Sequence, residues 1–158
     1  MTTGSFKVNS ATEMHRLAGA VAREIADGTV LCLEGELGAG KTTFVQGLAK
    51  ALGIREKVTS PSFTVVSEYQ VNTERGLKLV HVDLYRLPEK GAENEVAVRD
   101  VLEKAGQESR VTVVEWADRL DGGAIAEVVA SDKIWRIKFA HGKNLEERIV
   151  EIELSHRK

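Results

Sequence analysis

The chain has 158 residues, enough for one domain over residues 1–158 and too few for a second full one. Hydrophobic residues at 42% and charged residues at 29% exclude a disordered chain, and a single cysteine excludes disulfide scaffolds and cysteine-rich zinc modules. A net charge of −2 excludes nucleic-acid binding through bulk positive charge. The lone Cys32 in an apolar run fits a reducing compartment, and residues 1–15 lack the basic start and apolar stretch of a signal peptide. No apolar run reaches the roughly 18 residues of a membrane helix, so a cytoplasmic protein without membrane contact is expected.

In chain order, Phe6 to Val8 reads as a short strand. Ser10 and Glu13 have capping-box spacing, followed by Met14, Leu17, Ala18, Val21 and Ile25 on one helical face, with Asp27-Gly28 as the stop. Thr29 to Leu33 is a buried strand and Lys41 to Leu52 a helix ended by Gly53. Phe63 to Val71 and Leu77 to Leu84 predict an antiparallel hairpin joined through residues 72–76. Glu93 to Ala105 predicts a polar-faced helix, Val111 to Val114 a buried strand and Ala124 to Val129 a short helix. Ile134 to Phe139 and Arg148 to Leu154 alternate apolar and polar residues as half-exposed strands do. The pattern is that of an α/β domain: a mixed sheet carrying helices.

Between the Thr29 strand and the Lys41 helix stands Gly35-Glu36-Leu37-Gly38-Ala39-Gly40-Lys41-Thr42, a full G-x4-G-K-[ST] phosphate loop with the right element on each side. Glycines let successive backbone N–H groups curl towards phosphate oxygens, and the helix N-terminus adds partial positive charge. Lys41 is expected to reach the β- and γ-phosphates and Thr42 to ligate Mg²⁺. A glycine turn that merely joins strand to helix is the bland alternative, and the correct flanks argue against it. Such a site needs a second acid at a neighbouring strand end. Asp83, after Leu79 to Val82, and Glu115, after Val111 to Val114, both qualify, and spacing does not divide their roles.

With these residues in hand, the chain resembles the TsaE (formerly YjeE) family of small bacterial ATPases needed to make N6-threonylcarbamoyladenosine (t6A) in tRNA. The resemblance is carried by Gly35 through Lys41-Thr42-Thr43, then Ser60-Pro61-Ser62-Phe63, His81-Val82-Asp83-Leu84-Tyr85-Arg86 and Glu115-Trp116, in family order. It implies a three-layer α/β/α sandwich on a phosphate-loop sheet, with nucleotide contacts from Gly35, Leu37, Gly38, Ala39, Gly40, Lys41, Thr42 and Thr43. It also implies Mg²⁺ on Thr42 and Glu115, Asp83 as the essential acid facing the γ-phosphate beside Lys41, and residues around Ser10 and Ala11 near the base. Residues 60–63 correspond to a switch-like loop. The implied activity is hydrolysis of Mg·ATP with two partners, TsaB and TsaD, slow without them, with tRNA reached through the complex.

The chain departs from the family pattern at Ser62, where threonine is usual, and at Val96-Ala97, where Leu-Gly or Met-Gly is common. His81 reads as structural or partner-facing, Trp135 as a packing residue, and Trp116 as an exception only because it follows an expected metal ligand. Arg136, Lys138, Lys143 and Arg148 read as a basic cluster, with a solvated face favoured over tRNA contact. The alternative function is a small-molecule kinase, which would ordinarily show an arginine-dense lid that this sequence lacks. A GTPase would carry Asn/Thr-Lys-x-Asp, and no such tetrapeptide occurs.

Overall fold

The central strands are buried on both faces, and the alternation of their side chains builds two cores on opposite sides of one sheet. The computed structural model describes residues 2–59, 65–71, 76–107, 109–120 and 133–155. In order, the elements are β1 (Gly4–Val8), α1 (Ala11–Glu24), β2 (Val30–Gly35), α2 (Lys41–Ala51), β3 (Val66–Gln70), β4 (Lys78–Asp83), α3 (Val96–Lys104), β5 (Arg110–Glu115), β6 (Ile134–His141) and β7 (Arg148–Ser155). The strands form one sheet in the order β1-β7-β6-β2-β5-β4-β3. Its centre is parallel, β6 with β2, β2 with β5 and β5 with β4, and its flanks are antiparallel. The mixed sheet and the expected β3–β4 pairing are therefore present.

Leu31 and Leu33 of β2 pack with Val111 and Val113 of β5 under α1 and α2, through Met14, Ala18, Val21, Phe44 and Leu48. Val30 and Cys32 point the other way and join Val80, Val82 and Val114 beneath α3, through Val98, Val101 and Leu102. Helices thus cover both faces, the three-layer arrangement. Burial pushes the Cys32 thiol up to about 12, which leaves it an inert apolar filler. Trp135 is buried in the first core, as a packing residue should be, and Phe44 meets Phe139 edge-on at 5.5 Å. At the start of α1, Ser10 Oγ accepts from the Glu13 N–H at 3.1 Å, while Glu13 Oε2 accepts from Asn9 N–H at 2.8 Å, one residue before the usual reciprocal partner.

Two expectations are corrected. The helix expected from Glu93 begins at Val96, because Ala92–Asn94 form a separate 3₁₀ turn and Glu95 is extended at φ −68° and ψ 127°. Ala92 and Glu93 are buried there, so tertiary contacts override the helical pattern. The basic cluster does not form either. Arg136 and Lys138 lie in register opposite Glu153 and Glu151, and Arg136 also reaches Glu34 at 3.9 Å. Arg148 shares the other face with Val150 and Ile152. Val96 and Ala97 are exposed, so no packing within the chain depends on the glycine usual in the family. Residues 60–63, the connection at 72–75 and the short helix expected over Ala124 to Val129 lie outside the described residues.

Helix α2 lies so close to α1 that a Cβ on Gly47 would stand 2.8 Å from His15 Cα and 3.2 Å from Ala18 Cβ. Helix propensity alone predicts that Gly47→Ala stabilises by about 1 kcal/mol. Overpacking against backbone should reverse the sign and cost about 1–3 kcal/mol, read as a lower urea midpoint with an unchanged slope.

Candidate functional site

The phosphate loop leaves β2 at Gly35, whose φ of 152° and position against Phe139 O leave no room for a side chain. Gly40 closes the loop at φ 108°, with Met14 Cε where a Cβ would be, and α2 begins at the next residue. Between them Ala39 is buried in the core and Leu37 is exposed at the tip, so one anchors the loop and the other offers only backbone to a ligand. Lys41 Nζ folds back onto the loop, donating to Gly35 O and, at 2.9 Å, to Glu36 O. The Trp116 ring lies over the same ammonium at 4.2 Å, a cation–π contact.

The parallel strands set the acids. Leu33 of β2 and Asp83 of β4 are both in register with Glu115 of β5, so both carboxylates emerge at the carboxyl edge beside the loop. Glu115 Oε1 lies 3.3 Å from Thr42 Oγ1, and its Oε2 lies 2.5 Å from His81 Nε2. His81 and Glu115 are both buried. Asp83 is half-buried and accepts from Tyr85 N–H at 3.0 Å through Oδ1. A hydroxyl and a carboxylate oxygen at one point are hard oxygen donors of the kind Mg²⁺ uses with phosphate and water, so Thr42 and Glu115 fit that ion.

Burial dominates the electrostatics. It holds the Asp83 carboxyl above its ordinary range, with Glu115 adding to the shift and the Tyr85 N–H, His81 and Lys41 opposing it. It also lowers Lys41 from its ordinary value, against the attraction of Glu115, Asp118, Asp83 and Glu36. Each group is thus pushed towards its neutral form in the ligand-free site.

Beside the loop, a cavity of about 380 Å³ is lined by Val8, Ser10, Ala11, Met14, Gly38, Gly40, Thr43, Leu145 and Arg148. Ser10, Ala11 and Thr43 therefore share one hollow next to the loop, although they come from different elements. Arg148 donates through Nε to Gly38 O at 3.3 Å and through Nη1 to Leu145 O at 2.7 Å, tying the β6–β7 turn to the loop.

Sequence reasoning missed several of these neighbours. Arg86, the arginine of the His81-to-Arg86 motif, is exposed, while Arg119 stacks on Trp116 at 5.1 Å and Tyr85 at 5.6 Å and donates to Leu87 O. Trp116 itself has φ 60° and ψ 41°, a left-handed conformation rare for a bulky residue. The sequence reads His81 as structural or partner-facing, and its contact with Glu115 is invisible without strand register. Only its alternation with Asp83 along β4 signalled the shared face.

The raised carboxyl of Asp83 has a consequence for stability. The folded state binds the Asp83 proton more tightly than the unfolded chain does, so the ionised group costs stability once pH passes the ordinary value of 3.8 and rises through the folded one. Asp83→Asn retains an oxygen for the Tyr85 N–H and should raise the melting temperature of the ligand-free protein at neutral pH. The gain should be no more than about 1 kcal/mol for a half-buried, solvent-screened group, or about 2–4 °C. Melting curves across pH check it: the gain should shrink as pH falls through the folded value towards 3.8 and be absent below it.

The chain matches the family described as "Threonylcarbamoyl adenosine biosynthesis protein TsaE" over residues 8–150. It is 41% identical over 114 residues to the tRNA threonylcarbamoyladenosine biosynthesis protein TsaE of Aquifex aeolicus, covering 71% of this chain and 75% of that one. It is 37% identical over 134 residues to the protein of the same name from Streptomyces coelicolor, covering 85% of this chain and 84% of that one. The crystal structure of Bacillus subtilis YdiB superposes with a TM-score of 0.65 at 27% identity, over 98% of this chain and 85% of that one. A family match running from the end of β1 to the start of β7, together with these relatives, places the chain in the TsaE family.

Proposed function

We propose that the protein is a magnesium-dependent ATPase that supports t6A modification of tRNA together with TsaB and TsaD proteins, in the cytoplasm. The observation that carries the catalytic part is the meeting of Thr42 Oγ1 and Glu115 Oε1 at 3.3 Å, one residue after Lys41 at the start of α2. The biological part rests on family membership and on the names of the relatives.

In this reading the loop's backbone N–H groups and Lys41 bind the phosphates, and Lys41 exchanges the carbonyls of Gly35 and Glu36 for phosphate oxygens. Thr42 and Glu115 would hold Mg²⁺, which supplies charge neutralisation at the β- and γ-phosphate oxygens. The hollow at Ser10, Ala11 and Thr43 takes the base. Asp83, fixed by the Tyr85 N–H, orients the water that attacks the γ-phosphorus. The bond from that phosphorus to the β–γ bridging oxygen breaks, giving ADP and phosphate. Catalysis of this reaction is nearly all positioning and charge stabilisation, and an arginine supplied by a partner is worth about 10³–10⁵ in rate.

Steady-state phosphate release at fixed salt tests the reading. The protein alone should turn over slowly, and TsaB with TsaD should accelerate it by ~10-fold or more. Rapid turnover indifferent to both partners would contradict partner dependence. Glu115→Ala should weaken nucleotide affinity only when Mg²⁺ is present, whereas Asp83→Ala should lower kcat with affinity largely kept. Equal affinity losses with no separate rate effect would argue against this division of labour.

A further inference from the structure

Glu115 is held at both ends. One carboxylate oxygen faces the Thr42 hydroxyl at 3.3 Å, and the other lies 2.5 Å from His81 Nε2, with the histidine side chain fully buried. An ionised carboxylate only accepts, so the imidazole nitrogen facing it carries the proton. The other ring nitrogen, Nδ1, is buried and has no hydrogen-bond partner among the described residues. A histidine placed merely to fill the core would orphan that atom for no return, since an aliphatic side chain fills similar space without a polar group. What the imidazole supplies is a fixed direction. A glutamate side chain has three rotatable bonds, and anchoring Oε2 leaves Oε1 a single orientation, towards Thr42.

We propose that His81 is a positioning residue for the metal site: its Nε2–H holds Glu115 Oε2 so that Oε1 is preset beside Thr42 for the ion that accompanies the nucleotide. The proposal rests on Glu115 being a magnesium ligand, as argued above. It assigns to β4 two distinct contributions to one site, with Asp83 facing the nucleotide and His81 acting through Glu115. Groups that orient metal ligands in this way typically change metal affinity by about 10–100-fold when removed.

The test is titration of the full chain with a fluorescent ADP analogue, in EDTA and across a range of Mg²⁺. His81→Leu should raise the Mg²⁺ midpoint by ~10-fold or more while leaving affinity in EDTA within about 2-fold. His81→Gln, whose amide N–H can reach the same oxygen, should recover most of the loss. An unmoved Mg²⁺ midpoint in His81→Leu, an equal loss in EDTA, or no recovery with glutamine would each overturn the proposal. Glu115→Gln separates the two levels. If it shifts the midpoint and His81→Leu does not, positioning by His81 fails and the metal-ligand reading stands. If neither shifts it, both fail. Should His81→Leu not fold, the wild-type protein decides by nitrogen-15 NMR. The His81 ring resonances must move when Mg²⁺ is added to the ADP-bound protein, and resonances that stay put reject the proposal.

Discussion

Everything at this site depends on the parallel register of three strands. β2, β5 and β4 are aligned so that Leu33, Glu115 and Asp83 end level with one another, and the phosphate loop springs from β2 two residues later. Side chains alternate faces along a strand, so a slip of one residue would send Glu115 towards α3 and away from Thr42. The register is in turn locked by burial. Leu31, Leu33, Leu79, Val111 and Val113 fill one core, while Val30, Cys32, Val80, Val82 and Val114 fill the other. The placement of Glu115 beside Thr42 is therefore inherited from hydrophobic packing several residues away.

The site is held in electrostatic tension. Burial disfavours the charge on both Lys41 and Asp83, and the chain offsets the first by folding the ammonium onto its own loop carbonyls and under the face of Trp116. The tryptophan is itself in a left-handed conformation, steadied by Arg119 and Tyr85. These are replaceable partners. In the proposed function a triphosphate would offer Lys41 stronger ones, and binding would substitute them for the contacts the ammonium makes with Gly35 O and Glu36 O.

Much of this was legible in the sequence because it is local. The phosphate loop is contiguous, its glycines are demanded by backbone geometry, and the two strand-end acids follow apolar runs that can only be buried strands. The mixed sheet carrying helices follows from the same runs, whereas the three layers were implied by the family resemblance. What was not legible is what register and side-chain direction create. His81 and Glu115 are 34 residues apart, and only the β4–β5 pairing brings them together. Arg148 reaches Gly38 over a separation of 110 residues, and the apparent basic cluster dissolves because its members lie on opposite faces or beside glutamates. The early start expected for α3 failed for a similar reason, since Ala92 and Glu93 are buried in a separate turn that the helical pattern does not reveal.

In the proposed function, Lys41 and the loop around it bind the phosphates of Mg·ATP. The most direct measurement is the melting temperature of the wild-type protein and of Lys41→Ala, each with and without Mg·ATP. A ligand present at about 100 times its Kd stabilises the native state by about 2.7 kcal/mol. For a chain of this length that corresponds to a rise of about 5–10 °C. The account predicts this rise for the wild type and its near disappearance in Lys41→Ala, whose ligand-free fold should persist. An undiminished rise in Lys41→Ala, or none in the wild type, would contradict it.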